Sequence, residues 1–321
     1  MHILVTGATG FLGGAAAREL LRCGHRITGT GRNPELGAAL ERDGVRFQAA
    51  DLRSGPADLL TGTDAVLHCA ARSTLWGSWA EFRADNIEVS AQLARACARQ
   101  GVRLVHISTP SVYNATGLSD QVPESATESA SFGRHFDSRY ARSKFLAELE
   151  VRLALPGTAV LRPRGIYGPG DTSIMPRLAR ALRAGRLPRL SRSEVYTELT
   201  DVRNVIQAAR RALEGQASGV FNVTDGVSIP IWATLDRLAD ALGVARPTRL
   251  VPAKLLEGAA ALLEGIYRLR PGQPEPPVTA SAVRLLTRPM TLDLRRARSQ
   301  LGYQPTIHPR DGLDAVFAAL K

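Results

Sequence analysis

The chain has 321 residues, room for one large core or two modest ones, and its 44% hydrophobic and 22% charged residues are the balance of a soluble globular protein. Charged residues interrupt every apolar run before it could cross a bilayer, and the N-terminal Met-His-Ile-Leu-Val carries no basic leader or cleavage signal, so a cytoplasmic protein is expected. The net charge of +11 raises nucleic acid as a partner, but Arg177, Arg180 and Arg183 are spread along a helix face and aromatics are only 5%, which leaves no stacking platform.

Ile3–Thr6 is a short apolar run ending at glycine and reads as a buried strand. Residues 11–22 carry apolar positions at helical spacing, with Gly24 as the stop. A strand at Ile27–Thr30, a helix at Pro34–Arg42 and strands at Val45–Ala49 and Ala65–His68 follow. A long helix is expected over Trp79–Arg99, a fifth strand at Leu104–Ile107, a helix at Arg139–Leu153 and a strand at Thr158–Leu161. Strands alternating with helices predict an α/β fold with a doubly wound parallel sheet. The rhythm changes after Arg164, where Pro and Gly cluster at Tyr167–Gly170 and again at Arg270–Pro277. The expected division is a dinucleotide-binding domain over 1–165 and a smaller substrate lobe over 166–321, with a strand near 219–224 returning to the sheet.

Thr6-Gly7-Ala-Thr-Gly10-Phe11-Leu12-Gly13 joins the first strand to the first helix. Gly7 allows a tight turn, Gly10 a close approach to a pyrophosphate, and Gly13 close packing of helix on strand. Phosphates would then meet the helix N-terminus and its free N–H groups. Glycines also end strands for steric reasons alone, but here both flanks match. The second strand decides the cofactor. NAD sites place an acid there, whereas this chain has Gly31-Arg32, leaving room and a cation for a 2′-phosphate. NADP(H) is favoured and NAD(H) stays open, since a surface turn with an ordinary arginine reads the same way.

Tyr140 and Lys144 are four residues apart on one helix, so the phenol and the ammonium share a face. A nearby ammonium and the positive oxidised nicotinamide are both expected to lower the phenol's pKa towards the working range. No His or Cys cluster has metal-ligand spacing, so no metal is expected. Cys23, Cys69 and Cys97 have no paired spacing and read as small buried hydrophobes in a reducing compartment.

The glycine turn, Tyr140-Ala-Arg-Ser-Lys144 and Leu161-Arg-Pro-Arg-Gly-Ile-Tyr-Gly-Pro-Gly170 together resemble the extended short-chain dehydrogenase/reductases of the epimerase/dehydratase type, over essentially the whole chain. Trp76-Gly-Ser-Trp79, Ser108–Val112, Arg162-Pro-Arg164 and Leu269–Pro277 look closest to 3β-hydroxysteroid dehydrogenase-like proteins and 2-alkyl-3-oxoalkanoate reductases. The resemblance implies Thr109 as the catalytic hydroxyl, with Ser108 and Ser111 as rivals, beside Tyr140 and Lys144. It implies cofactor contacts at Phe11, Leu12, Asp51, Leu52, Ala70 and Pro163, with Asp51 on the adenine or merely capping a turn. Asn86 would support the site from behind, or be an exposed helical residue. The activity implied is ketone–alcohol interconversion on a hydrophobic β-keto, β-hydroxy or sterol-like compound. A nucleotide-sugar epimerase or dehydratase holding NAD tightly shares these motifs, and a non-catalytic NADP-binding redox sensor shares the sheet. Dimers are frequent in the resembling family, through helices matching 85–100 and 139–153. Leu255, Leu256, Ala259, Leu262, Leu263 and Ile266 recur at helical spacing and read as a core helix, a lid over an apolar substrate or a membrane contact.

Overall fold

The computed structural model describes residues 1–128 and 136–321. The first half runs β1 (His2–Thr6), α1 (Phe11–Arg22), β2 (Arg26–Gly31), α2 (Pro34–Arg42), β3 (Arg46–Ala49) and β4 (Ala65–His68). Next come α3 (Trp79–Phe82), a π-helical turn (Arg83–Glu88), α4 (Val89–Gln100), β5 (Arg103–Ile107), α5 (Arg139–Ala154) and β6 (Ala159–Pro163). Then follow β7 (Ile166–Tyr167), α6 (Ile174–Arg183), β8 (Tyr196–Thr197), β9 (Thr200–Asp201), α7 (Val202–Glu214) and β10 (Gly219–Val223). The chain closes with β11 (Ile229–Pro230), α8 (Ile231–Leu242), α9 (Ala253–Leu269), α10 (Ala280–Thr287), α11 (Arg295–Leu301) and α12 (Pro309–Ala319).

Seven strands form a parallel sheet in the order β10-β6-β5-β4-β1-β2-β3. It is doubly wound: the chain moves outward from β1 through β2 to β3, then returns to β4 and builds the other way. Ligands of such sheets bind outside the carboxyl ends of the strands at that reversal, here between β1 and β4. The period-two side-chain alternation of the strands splits the core into two layers. Ile3, Val5, Leu67, Val105 and Leu161 pack with Leu20 of α1 and Ile206 and Ala209 of α7, while Leu4, Val66 and Leu104 face Leu93 and Cys97 of α4. Both faces are covered, so the strands read as continuous apolar runs.

Local chemistry starts the helices. Asn33 accepts a hydrogen bond from the Leu36 N–H ahead of Pro34 in α2, and Ser78 with Glu81 forms a reciprocal cap on α3. Three expectations need correction. The helix expected over Trp79–Arg99 is interrupted by the π-helical turn, which carries Asn86 into the interior. Cys23 is exposed, because it caps α1 where the helix ends at the surface; Cys97 is buried. The apolar positions of α9 do not form one core face. Leu256 packs inward near Trp232, but Leu255, Leu262 (72% exposed), Ile266 and Leu269 (88% exposed) point outward. Among the described residues, no helix is long and apolar enough to cross a membrane.

Candidate active site

The glycine turn closes on the β4 loop at the reversal of strand order. Gly7 has φ +66°, and a Cβ there would lie 2.8 Å from the Ala70 backbone. A Cβ on Gly13 would lie 2.3 Å from the Gly7 carbonyl oxygen, so the start of α1 can rest on the turn only if that residue is glycine. Gly10 caps α1 without a side-chain hydrogen bond. The first-turn N–H groups of Phe11, Leu12 and Gly13 therefore have no side-chain competitor, and the cradle fits a dinucleotide diphosphate.

At the end of β2, Arg32 is exposed and makes no ion pair among the described residues. A Cβ on Gly31 would come within 2.6 Å of the Thr9 hydroxyl, so packing alone gives a reason for the glycine. Asp51 accepts from the Arg53 N–H and pairs with its guanidinium at 2.6 Å, capping the short turn that holds Leu52. Those bonds hold its carboxyl down at about 2.

Tyr140 lies in the first turn of α5, which Ser138 caps by accepting from the Ala141 N–H at 3.1 Å. Its hydroxyl lies near enough to Thr109, just past β5, for that side chain to favour the phenolate. The three hydroxyls in this stretch have separate partners. Thr109 meets Tyr140 and donates to Ser111 at 3.1 Å, while Ser108 donates to the Glu148 carboxylate. Lys144 is 2% exposed and donates to the Ile107 carbonyl at 2.7 Å, with its Nζ 3.4 Å from His106 Nε2. Burial pushes the Tyr140 phenol up to about 12 and the Lys144 ammonium down to about 8. The Lys144 share of the expected lowering is absent, because Lys144 is turned towards the Ile107 carbonyl and burial outweighs the effect of Thr109.

A buried chain of polar contacts links this pair to the glycine turn. Thr6 meets His68 Nδ1 at 2.7 Å, the His68 and His106 rings lie 5.2 Å apart, and His106 meets Lys144. Burial, then the Lys144 charge, lowers the pKa of both imidazoles, so they are neutral near pH 7. Asn86, 1% exposed, accepts from the Arg72 N–H at 2.7 Å and donates to Ser143 at 2.9 Å. It ties the π-helical turn to α5 and is not an exposed helical residue. Pro163 closes β6, buried beside β5.

The sequence alone assigns no role to His106 or Glu148, and Arg164 enters only within the Arg162-Pro-Arg164 stretch. Glu148 follows Lys144 by one helical turn, which is a readable signal. Nothing local distinguishes His106 from any strand residue. Trp76 donates to the Gln273 carbonyl at 2.8 Å beneath the Arg268 guanidinium, so the Trp76–Trp79 and Leu269–Pro277 stretches meet in space.

A glycine-turn dinucleotide fold with a Tyr-x-x-x-Lys helix beside it defines an NAD(P)-dependent enzyme of the extended short-chain type. Residues 3–224 match the model of the NAD dependent epimerase/dehydratase family, and the chain belongs to that family. It is 33% identical to a 2-alkyl-3-oxoalkanoate reductase of Stenotrophomonas maltophilia, over 99% of each chain. It is 30% identical to a 3β-hydroxysteroid-dehydrogenase/decarboxylase of Arabidopsis thaliana, over 87% of this chain and 67% of the relative. The fold is shared with a UDP-glucuronic acid 4-epimerase from Bacillus cereus solved with NAD, at TM-score 0.76 and 22% identity, over 100% of this chain and 98% of the other.

Proposed function

We propose that this enzyme reduces a ketone to a secondary alcohol with NADPH, acting on a β-keto compound with a hydrophobic body. The observation that carries the reading is the Tyr140 phenol placed beside Thr109, one helical turn from a buried Lys144. A phenol held at about 12 is protonated at neutral pH and can donate to a developing alkoxide. Thr109 and Tyr140 hold the carbonyl oxygen, and Tyr140 gives up its proton to it. Lys144 stabilises the phenolate that remains and holds the ribose. Bound NADPH supplies the hydride that reduces the carbonyl carbon.

Gly7, Gly10, Phe11, Leu12 and Gly13 hold the diphosphate in this reading. Gly31 and Arg32 take the 2′-phosphate, Asp51 and Leu52 border the adenine, and Ala70 and Pro163 line the nicotinamide side. The names of the bacterial reductase and the plant sterol dehydrogenase support a ketone or sterol-like substrate.

The test is NADPH oxidation by the purified protein with a long-chain 2-alkyl-3-oxo acid. Turnover that Tyr140→Phe abolishes supports the reading. Protein that arrives filled with NAD(H) and oxidises no NADPH overturns it in favour of a nucleotide-sugar epimerase or dehydratase.

A further inference from the structure

Two arginines two residues apart on β6 and its exit, Arg162 and Arg164, are both buried, at 0% and 7% exposure, yet they are paired very differently. Arg162 meets both Glu148 oxygens at 3.0 and 2.5 Å, donates to the Tyr113 hydroxyl at 2.7 Å and reaches Thr127 at 3.2 Å. Its charge is neutralised. Arg164 donates from Nε to the Thr197 hydroxyl at 2.9 Å, and its Nη1 lies 3.1 Å from the Met290 sulfur, a weak acceptor. It makes no ion pair among the described residues. Glu198 is near enough to favour its charge, but that carboxylate accepts from the Leu292 N–H at 3.0 Å, and burial favours its neutral form. Arg164 Nη2 has no acceptor among the described residues.

The strand register sets Arg164 at the edge of the site. Ile107 pairs with Leu161, so continuing both strands brings Pro163 level with Thr109 and Arg164 one step further, at the carboxyl edge of the sheet. Met290, which touches Arg164, belongs to one small core cluster with Val112 and Tyr113, and Phe145, the neighbour of Lys144, packs against that cluster. A guanidinium buried with no carboxylate in direct contact is costly, and its planar fork matches a carboxylate.

We propose that Arg164 receives the carboxylate of the substrate, so that the enzyme selects β-keto acids over neutral ketones; this rests on the ketoreductase reading of the same site. In a β-keto acid one carbon separates the carboxylate from the carbonyl carbon. Binding the carboxylate beside Thr109 therefore sets the carbonyl oxygen towards Thr109 and Tyr140. The side chain of Met290 gives the pair a weakly polar wall, in which a charge-assisted bond is stronger than in water.

The experiment is isothermal titration of the protein with a long-chain 2-alkyl-3-hydroxy acid and with its primary amide, which has nearly the same shape and no charge. Wild type, Arg164→Lys and Arg164→Met are compared. The acid is expected to bind wild type at least about tenfold more tightly than the amide, the effect of one hydrogen-bonded charge. Arg164→Met removes the preference while amide binding holds, and Arg164→Lys keeps part of it. Equal binding of acid and amide to wild type, or a preference that survives in Arg164→Met, overturns the proposal. So does UDP-glucose binding that depends on Arg164 while the acid does not bind. If Arg164→Met fails to fold, the wild-type ratio and Arg164→Lys decide. NADPH oxidation is scored separately: an Arg164-dependent acid preference without turnover removes the ketoreductase reading alone, and turnover of neutral ketones without acid preference removes the receptor alone.

Discussion

Tyr140 and Lys144 are moved in opposite directions by one cause, since burial disfavours whichever form carries charge: phenolate for one, ammonium for the other. With the phenol at about 12, Tyr140 contributes no break near neutrality. Lys144, at about 8, loses its charge as pH rises through that value. We predict that kcat/KM for ketone reduction is level near pH 7 and falls above about pH 8, and that Lys144→Arg moves this fall to higher pH; a pH–rate profile of each protein checks it. The linkage to stability has the opposite slope. A lysine whose folded pKa lies below its ordinary 10.5 penalises folding while it is charged, so this contribution becomes more favourable between about pH 8 and 10.5. Tyr140→Phe should lower kcat/KM by about 100- to 10,000-fold, the usual worth of a general acid, with NADPH binding unchanged in a fluorescence titration. Thr109→Val should cost activity, whereas Ser108→Ala should leave turnover largely intact, because the Ser108 hydroxyl is engaged by Glu148. The reverse ranking in steady-state assays would move the catalytic hydroxyl to Ser108.

The elements that could be read from the sequence are those whose signal is local. The glycine turn between β1 and α1 needs only φ and close approach, and residues four apart on α5 must share a face. The π-helical turn could not be read, because its cause is tertiary. Asn86 gains partners in Arg72 and Ser143 by turning inward, and a period of 3.6 carries no trace of that. The outward Leu255 and Leu262 of α9 share a helical period with core residues, so spacing alone cannot say which flank meets the protein. The Glu148–Arg162 pair joins α5 to β6, and neither residue announces the other across that separation. Its removal is informative at this scale. Glu148→Gln leaves the Arg162 guanidinium without its counter-ion in a fully buried setting, and losing one partner of such a pair costs about 3–5 kcal/mol. Urea denaturation should show a midpoint lowered accordingly, and an unchanged midpoint would mean the pair contributes no net stability.

Across the whole molecule, the +11 charge and the reversal of strand order bear on one choice, which dinucleotide is held. The diphosphate cradle serves NAD and NADP alike, so discrimination falls to the end of β2, where the 2′-phosphate of NADP would add negative charge. Arg32 is exposed and unpaired among the described residues, and no acid stands at Gly31 to repel that phosphate. Asp51 is the nearby carboxylate, but Arg53 neutralises it at 2.6 Å. NADPH should therefore bind more tightly than NADH, by about 1.5–3 kcal/mol if Arg32 makes one charge-assisted contact, which is roughly 10- to 150-fold. Arg32→Ala should weaken NADPH binding while leaving NADH nearly unchanged. Because the contact is exposed, the preference should also shrink as salt rises from low to physiological strength and beyond. Fluorescence titration of both cofactors, on wild type and Arg32→Ala at two salt concentrations, separates the sources of selectivity. A preference that survives both changes would place the 2′-phosphate contact elsewhere. Equal binding of the two cofactors by wild type would leave Gly31 explained by its fit against Thr9 alone.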